Sequence, residues 1–303
     1  METHKLQLAF AASNLQNVAK SKHPFRKKTS SPFAVIMKHP ANGGPPDILG
    51  QTEVVDDSLN PNWQTQFVID YDERFPPYLN VYIFDHGTID KNREYITITQ
   101  TAGYTIMDCI EVLRVDHVVS EMTKGYVYET EMHLKGGKMK IFAEILNDKA
   151  RSNTALLHFR GLKLRNIEKV GLLKGLIDPY FEVWKLQAKR PEKQWCLAYR
   201  SEKIDNHINP LWQPFRIDMN TLCGGDSTRP IRILVYDWES GGKHRLIGEV
   251  TTLVDDLIQK CRKAKGNGDL QSSLKLISEE YPESTMGALV VLKAIIETPS
   301  ADL

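Results

Sequence analysis

The sequence predicts an all-β protein made of two antiparallel β-sandwiches in tandem, and three observations carry that prediction. A spaced set of short signals occurs twice: Ser31-Pro32-Phe33, Asn60-Pro61-Asn62-Trp63 and Val81-Tyr82-Ile83-Phe84-Asp85, then Asp178-Pro179-Tyr180, Asn209-Pro210-Leu211-Trp212 and Leu234-Val235-Tyr236-Asp237-Trp238-Glu239. The copies are offset by 147, 149 and 152 residues, so one unit is duplicated with small loop differences. Apolar residues alternate with polar ones at period two throughout both halves, as strands with one buried face require. Clusters such as Asn42-Gly43-Gly44-Pro45-Pro46 and Gly224-Gly225-Asp226 bound these segments, and no strand–helix–strand alternation runs along the chain.

In chain order, the alternating segments of the first half are residues 5–12, 33–38, 66–69, 79–84, 95–101 and 138–146. Those of the second half are 155–164, 180–186, 195–201, 231–237, 246–251 and 287–296. Two stretches, 106–113 and 253–263, carry apolar residues at helical spacing, and each is expected to be a short crossover after an Asp-containing loop. The polar run Asn147-Asp148-Lys149-Ala150-Arg151-Ser152-Asn153 marks the boundary, giving units 1–148 and 149–303 joined by a short linker, which is expected to let them sit side by side without fixing their orientation. Asn-Pro in each Asn-Pro-x-Trp sets a turn, and Trp63 and Trp212 are expected core anchors for the strands that follow.

Composition agrees. At 303 residues and 41% hydrophobic, the chain can bury two ordinary cores. With 39 basic against 38 acidic residues there is no global field to attract nucleic acid, so a charge-driven partner must meet a local patch. Cys109, Cys196, Cys223 and Cys261 show neither C-x-x-C nor metal spacing, which fits a reduced, cytoplasmic protein. No stretch approaches the ~20 apolar residues of a membrane span, and Leu6, Leu8 and Phe10 alternate as a strand does, unlike a signal peptide.

An apolar strand, Asp-Pro-Tyr, Asn-Pro-x-Trp, and an apolar strand ending in Asp-x-acid and followed by Ile247-Gly248 together resemble the C2 domain. The closer resemblance is to the tandem C2 domains of copines, carried by Thr52-Glu53-Val54-Val55, Asn60-Pro61 and Phe67-Val68-Ile69-Asp70-Tyr71, and by the run from Val235 to Glu249. It implies two C2-type sandwiches of eight strands each. A copine continues into a von Willebrand A-type domain with an Asp-x-Ser-x-Ser motif, which this sequence lacks. It is expected to be either a natural two-C2 relative or the N-terminal portion of a larger protein.

The resemblance also implies Ca²⁺ between loops at one end of each sandwich, held by about five carboxylates, since Ca²⁺ takes six to eight hard oxygens. In the second unit Asp178 matches a first-loop ligand, and Asp237 and Glu239 match the first pair of the third loop. The remaining first-loop acid falls on Gly171 or Leu172, and the last third-loop acid falls on Arg245. A guanidinium there removes two oxygens and adds a charge that does not titrate. The expectation is a vestigial site in which Arg245 neutralises Asp178, Asp237 and Glu239, or one weak Ca²⁺; Asp178 also reads as a plain Asp-Pro turn opener. In the first unit Ser31 stands in the Asp position and Gly87 replaces an acid, leaving Asp85 with Asp90 or Glu94, too few for calcium.

That unit has gained a longer first loop, Lys20-Ser21-Lys22-His23-Pro24-Phe25-Arg26-Lys27-Lys28, with five basic residues around Phe25. Basic residues near an anionic leaflet are each worth about 1 kcal/mol, so this loop is expected to bind phosphatidylserine or phosphoinositide without metal. A solvated loop is the plainer reading of the same charges. A second basic set, Lys185, Lys189, Arg190, Lys193, Arg200 and Lys203, lies on neighbouring strands, where the resemblance implies a headgroup groove with Trp195 or Tyr199 nearby; ordinary polar decoration competes with it.

No Gly-x-Ser-x-Gly, His-Glu-x-x-His, P-loop or dinucleotide fingerprint is present, and Gly266-Asn267-Gly268 is only a loop. The expected function is therefore a non-enzymatic, copine-like adaptor: cytoplasmic, peripheral to membranes, bound to anionic phospholipid and weakly or not at all dependent on Ca²⁺. A protein–protein scaffold whose C2 folds have lost lipid binding is the alternative, and the regulatory fragment of a larger effector is a third.

Overall fold

The computed structural model describes residues 4–19, 28–39, 44–87, 104–146, 153–167, 175–188, 192–263 and 272–298. The chain divides into two compact units whose main boundary falls between Asp148 and Lys149.

In the first unit the elements are β1 (His4–Ser13), β2 (Pro32–His39), β3 (Asp47–Gln51), β4 (Asn62–Tyr71), β5 (Tyr78–Asp85), β6 (Thr105–Arg114), α1 (Val115–Thr123), β7 (Tyr128–Glu131) and β8 (Lys138–Leu146). They form two four-stranded antiparallel sheets, ordered β4-β1-β8-β7 and β3-β2-β5-β6. The pleat turns period two into a one-sided core: Leu6, Leu8 and Phe10 of β1 and Leu79, Val81 and Ile83 of β5 are buried in one apolar cluster.

The second unit repeats the plan. Its elements are β9 (Thr154–Leu162), β10 (Pro179–Ala188), β11 (Gln194–Arg200), β12 (Phe215–Asp218), α2 (Met219–Cys223), β13 (Ile231–Asp237), β14 (Arg245–Thr252), α3 (Val254–Lys263), β15 (Ser273–Lys275) and β16 (Ala288–Glu297). The sheets are ordered β12-β9-β16-β15 and β11-β10-β13-β14, which is the order of the first unit with every strand number raised by eight. A duplication explains this, and it extends to single contacts. Trp63 Nε1 donates to Pro32 O at 3.4 Å and Trp212 Nε1 to Pro179 O at 3.3 Å, both rings being fully buried. The Asn60 carboxamide oxygen accepts the Asn14 N–H at 2.9 Å, and that of Asn209 accepts Lys163 N–H at 2.7 Å. Asn14 (φ 58°) and Lys163 (φ 50°) are both left-handed, so the Asn side chain holds a turn that neither residue favours by itself. The Pro210 ring packs on Gly161, where a Cβ would come within 2.7 Å.

Two expectations change. Residues 106–113 form strand β6, and the helix follows it as α1. Register shifts against β5 at Leu79/Val81 and Ile83/Phe84 break the period of two, so the residues reaching the core are Met107, Ile110 and Leu113, spaced by three like a helix face. Strands β3, β7, β12 and β15, three to five residues long, are too short to show a period. The expected strand at 95–101 lies outside the described residues. The second helical stretch is α3, with Asp255 and Asp256 in its first turn and Lys260, Arg262 and Lys263 in its last, the favourable sense for the helix dipole.

Candidate cation-binding loop end

Each sandwich builds its loop end from one strand-end carboxylate. Pro32 faces Asp85 across β2 and β5, and Pro179 faces Asp237 across β10 and β13. Asp85 Oδ1 accepts the N–H of Ser31 at 2.8 Å and of Gly87 at 3.3 Å; Asp237 Oδ1 accepts Asp178 N–H at 2.8 Å. Both acids are more than nine-tenths buried, so these N–H donors compensate part of the lost hydration. Asp178 Oδ1 accepts Asn206 N–H at 2.7 Å, and Ser31 Oγ accepts Asp57 N–H at 3.1 Å, with Asn206 (φ 52°) and Asp57 (φ 49°) again left-handed. Ser31 thus supports the same turn as Asp178 without its charge.

The register of the fourth strand separates the two ends. Asp85 stands opposite Thr105, and Asp237 stands opposite Arg245. Arg245 Nη2 lies 2.8 Å from Asp237 Oδ2 and 2.7 Å from Glu239 Oε1, while its Nη1 donates to Ile167 O at 2.7 Å. The Asp237 side chain is 1% exposed, and both this guanidinium and the Asp178 N–H compensate its buried charge. His244 Nδ1 accepts Glu239 N–H at 3.0 Å, which orders the loop carrying Glu239. Its ring meets Tyr180 edge-on at 5.3 Å, and burial, reinforced by the Arg200 charge, lowers its pKa.

Sequence reasoning assigned Arg245 to Asp178, Asp237 and Glu239. The structure brings it to the last two, while the Asp178 carboxylate holds the Asn206 turn. Among the described residues no group of three or more His, Cys, Asp or Glu is arranged to hold a metal ion. The residues present do not fit a Ca²⁺ centre, because Asp237 and Glu239 turn their oxygens to a guanidinium and Asp178 turns Oδ1 to the Asn206 N–H.

A protein-family model described as the C2 domain matches residues 8–102 and 155–267. The chain belongs to the C2 domain family. It is similar to several solved structures. One, titled BON1-C2B, is 22% identical over 48% of this chain and 93% of that chain, with a TM-score of 0.38. Another is the calcium-bound pair of C2 domains of Extended-Synaptotagmin 2, 13% identical over 99% of each chain, TM-score 0.34. A third is human GIVD cytosolic phospholipase A2, 12% identical over 99% of this chain and 33% of that chain, TM-score 0.32.

Of the basic loop of the first C2 domain, Lys20, Lys22, Phe25, Arg26 and Lys27 lie outside the described residues. The segments flanking them are closed on each other. Asn17 donates its carboxamide N–H to Lys28 O at 2.7 Å and accepts from Ser30 N–H at 3.0 Å, while the N–H groups of Val18 and Ala19 donate to Ser30 Oγ at 2.9 and 3.1 Å. This neck is missed by charge counting, although Asn17 and Ser30 are both residue types that hold turns.

In the second C2 domain the basic set changes character. Lys185, expected on an exposed groove, is 2% exposed and donates its ammonium to Asn220 O at 2.8 Å, in the first turn of α2. Arg200 Nε pairs with Glu182 Oε1 at 2.7 Å, Trp184 Nε1 donates to Glu182 Oε2 at 3.0 Å, and Arg232 pairs with Glu249. Tyr199 stacks on Phe215 and packs against the core, and burial pushes its phenol up to about 12. Lys189 and Arg190 lie outside the described residues, whereas Lys193 is exposed.

Proposed function

We propose that this protein is a non-enzymatic, copine-like C2 module that docks on anionic phospholipid with little or no dependence on Ca²⁺, peripheral to the membrane. C2 family membership in both halves gives the class. The observation that carries the mechanism is the neck at Asn17 and Ser30. It closes the ends of a run with five basic residues, Lys20, Lys22, Arg26, Lys27 and Lys28, at the end of the sandwich where Ser31 meets Asp85. A cationic loop fixed at its base adds the attraction of each charge to a leaflet while sparing part of the ordering entropy. No helix among the described residues is long and apolar enough to cross a membrane, which supports docking over insertion.

Co-sedimentation with vesicles of phosphatidylcholine alone, with phosphatidylserine, and with phosphatidylinositol bisphosphate tests this reading. Binding to the anionic vesicles only, in chelator as in Ca²⁺, is expected, and substituting Lys22, Arg26, Lys27 and Lys28 together by Ala is expected to reduce it at least tenfold. Equal sedimentation by the quadruple variant assigns the run to solubility and overturns the reading. The Glu182–Arg200 and Arg232–Glu249 pairs favour a different use of the second domain, as a face for a protein partner, since its cations are already matched by its own acids.

A further inference from the structure

We propose that Arg245 is a resident cation that stands in for the metal at the second loop end, making that C2 domain blind to calcium. The guanidinium collects one oxygen from each of three residues on two segments: Asp237 Oδ2 at the end of β13, Glu239 Oε1 two residues later, and Ile167 O from the segment after β9. Carboxylate and main-chain carbonyl oxygens are the ligand types that Ca²⁺ takes, here three of them on one guanidinium. Planar geometry lets a single guanidinium serve all three through two nitrogens, which a Lys ammonium matches poorly.

The first domain supplies the internal control. The same register position holds Thr105, and Asp85, nearly as buried as Asp237, keeps only the N–H donors of Ser31 and Gly87 among the described residues. The strand-end carboxylate and its first-loop N–H donor are therefore common to both loop ends, while the bridging cation comes with Arg245. Removing that charge leaves Asp237 and Glu239 facing each other across a gap lined by a carbonyl oxygen, a site a divalent ion can enter. The inference rests on the C2 reading of the loop end and not on lipid binding, so the two fail separately.

Thermal melting of the full chain in chelator and in about 1 mM Ca²⁺, a concentration above the working range of sensor sites, decides it. The wild type should melt identically in both. Arg245→Ala should lower the transition of the second domain by about 10 °C in chelator, because it strands a buried carboxylate, and Ca²⁺ should recover about 5 °C or more of that loss. Arg245→Lys should melt between the two and ignore Ca²⁺. Arg245→Gln, which keeps a hydrogen-bonding tip without the charge, carries the same calcium response should the Ala variant not fold. A wild-type calcium shift that Asp237→Asn abolishes, an Ala variant as stable as the wild type, or a Gln variant that ignores Ca²⁺ would each overturn the proposal.

Discussion

At the end of β5 the carboxylate of Asp85 stands opposite Thr105, and at the end of β13 the carboxylate of Asp237 stands opposite Arg245. Around both, the first-loop N–H on the carboxylate, the same left-handed turn residue and the same Trp-to-Pro hydrogen bond recur at equivalent positions. The loop-end frame is therefore built by the chain itself, before any cation is considered. A side chain at one register position then decides whether the frame contains its own positive charge. A second contrast lies at the sheet edge. In the first domain the buried Asp108 carboxylate accepts the N–H groups of Cys109, Leu134 and Gly137, each at 2.9 Å, and Lys135 at 3.3 Å. In the second, Gly248 occupies that place and the Glu249 N–H bonds Ile277 O directly at 2.8 Å.

The largest effects test what the domains share. Trp63→Ala and Trp212→Ala should each cost about 3–5 kcal/mol, the range for emptying a buried indole site, read from which calorimetric transition moves. A difference of several kcal/mol between them would break the equivalence of the two frames. Next comes a position that the domains do not share. Asp108→Ala should cost about 3 kcal/mol, since it orphans several buried N–H groups, and should move only the first domain's transition. The reciprocal Gly248→Asp should also destabilise, because its Cβ would meet Ile277 O at 3.0 Å and Leu276 Cβ at 3.1 Å.

A smaller and sharper pair separates the two loop ends. In Asp85→Asn the amide oxygen can still accept the N–H groups of Ser31 and Gly87, so the cost should be about 1 kcal/mol or less. Asp237→Asn loses the same charge but also breaks the Arg245 pair, and should cost about 2 kcal/mol. That is below the full penalty for a buried pair, because Arg245 is 30% exposed and keeps Glu239. Equal denaturation midpoints for the two variants would mean that Arg245 contributes nothing to folding.

Much of this was legible from residues alone. The Asn-Pro-x-Trp repeats and the period-two strands marked the duplicated sandwiches because each reflects a local rule, a turn or a pleat, that needs no knowledge of distant contacts. Arg245 was legible as a cation in an acid's place. Its partners were only partly so, since Asp178 is drawn away by the Asn206 N–H, and Ile167 O enters through a main-chain atom that no side-chain pattern reveals. Strand β6 read as a helix because two register shifts moved its core contacts to every third residue. Lys185 read as surface because alternation assigns a face without saying what covers it. Charge matching by Glu182 and Glu249 was hidden for the same reason, being a property of neighbouring strands.

The smallest predicted effect concerns pH and belongs to the second domain. His244 holds its loop by accepting the Glu239 N–H on Nδ1, which requires that nitrogen to carry no proton. Burial lowers its pKa below the ordinary 6.5, Arg200 lowers it further, and Glu182 and Glu239 oppose the shift. With the folded value below the unfolded one, the unfolded chain binds the proton more tightly. The contribution of His244 to stability is thus complete above about pH 6.5 and disappears as pH falls through the folded value. His244→Asn retains an acceptor for the Glu239 N–H and cannot titrate. Between pH 7.5 and pH 5 the wild-type transition of the second domain should therefore fall further than that of the variant, while the first domain's transition should respond alike in both proteins. Parallel pH slopes in wild type and variant would show that protonation of His244 is not what the loop end senses.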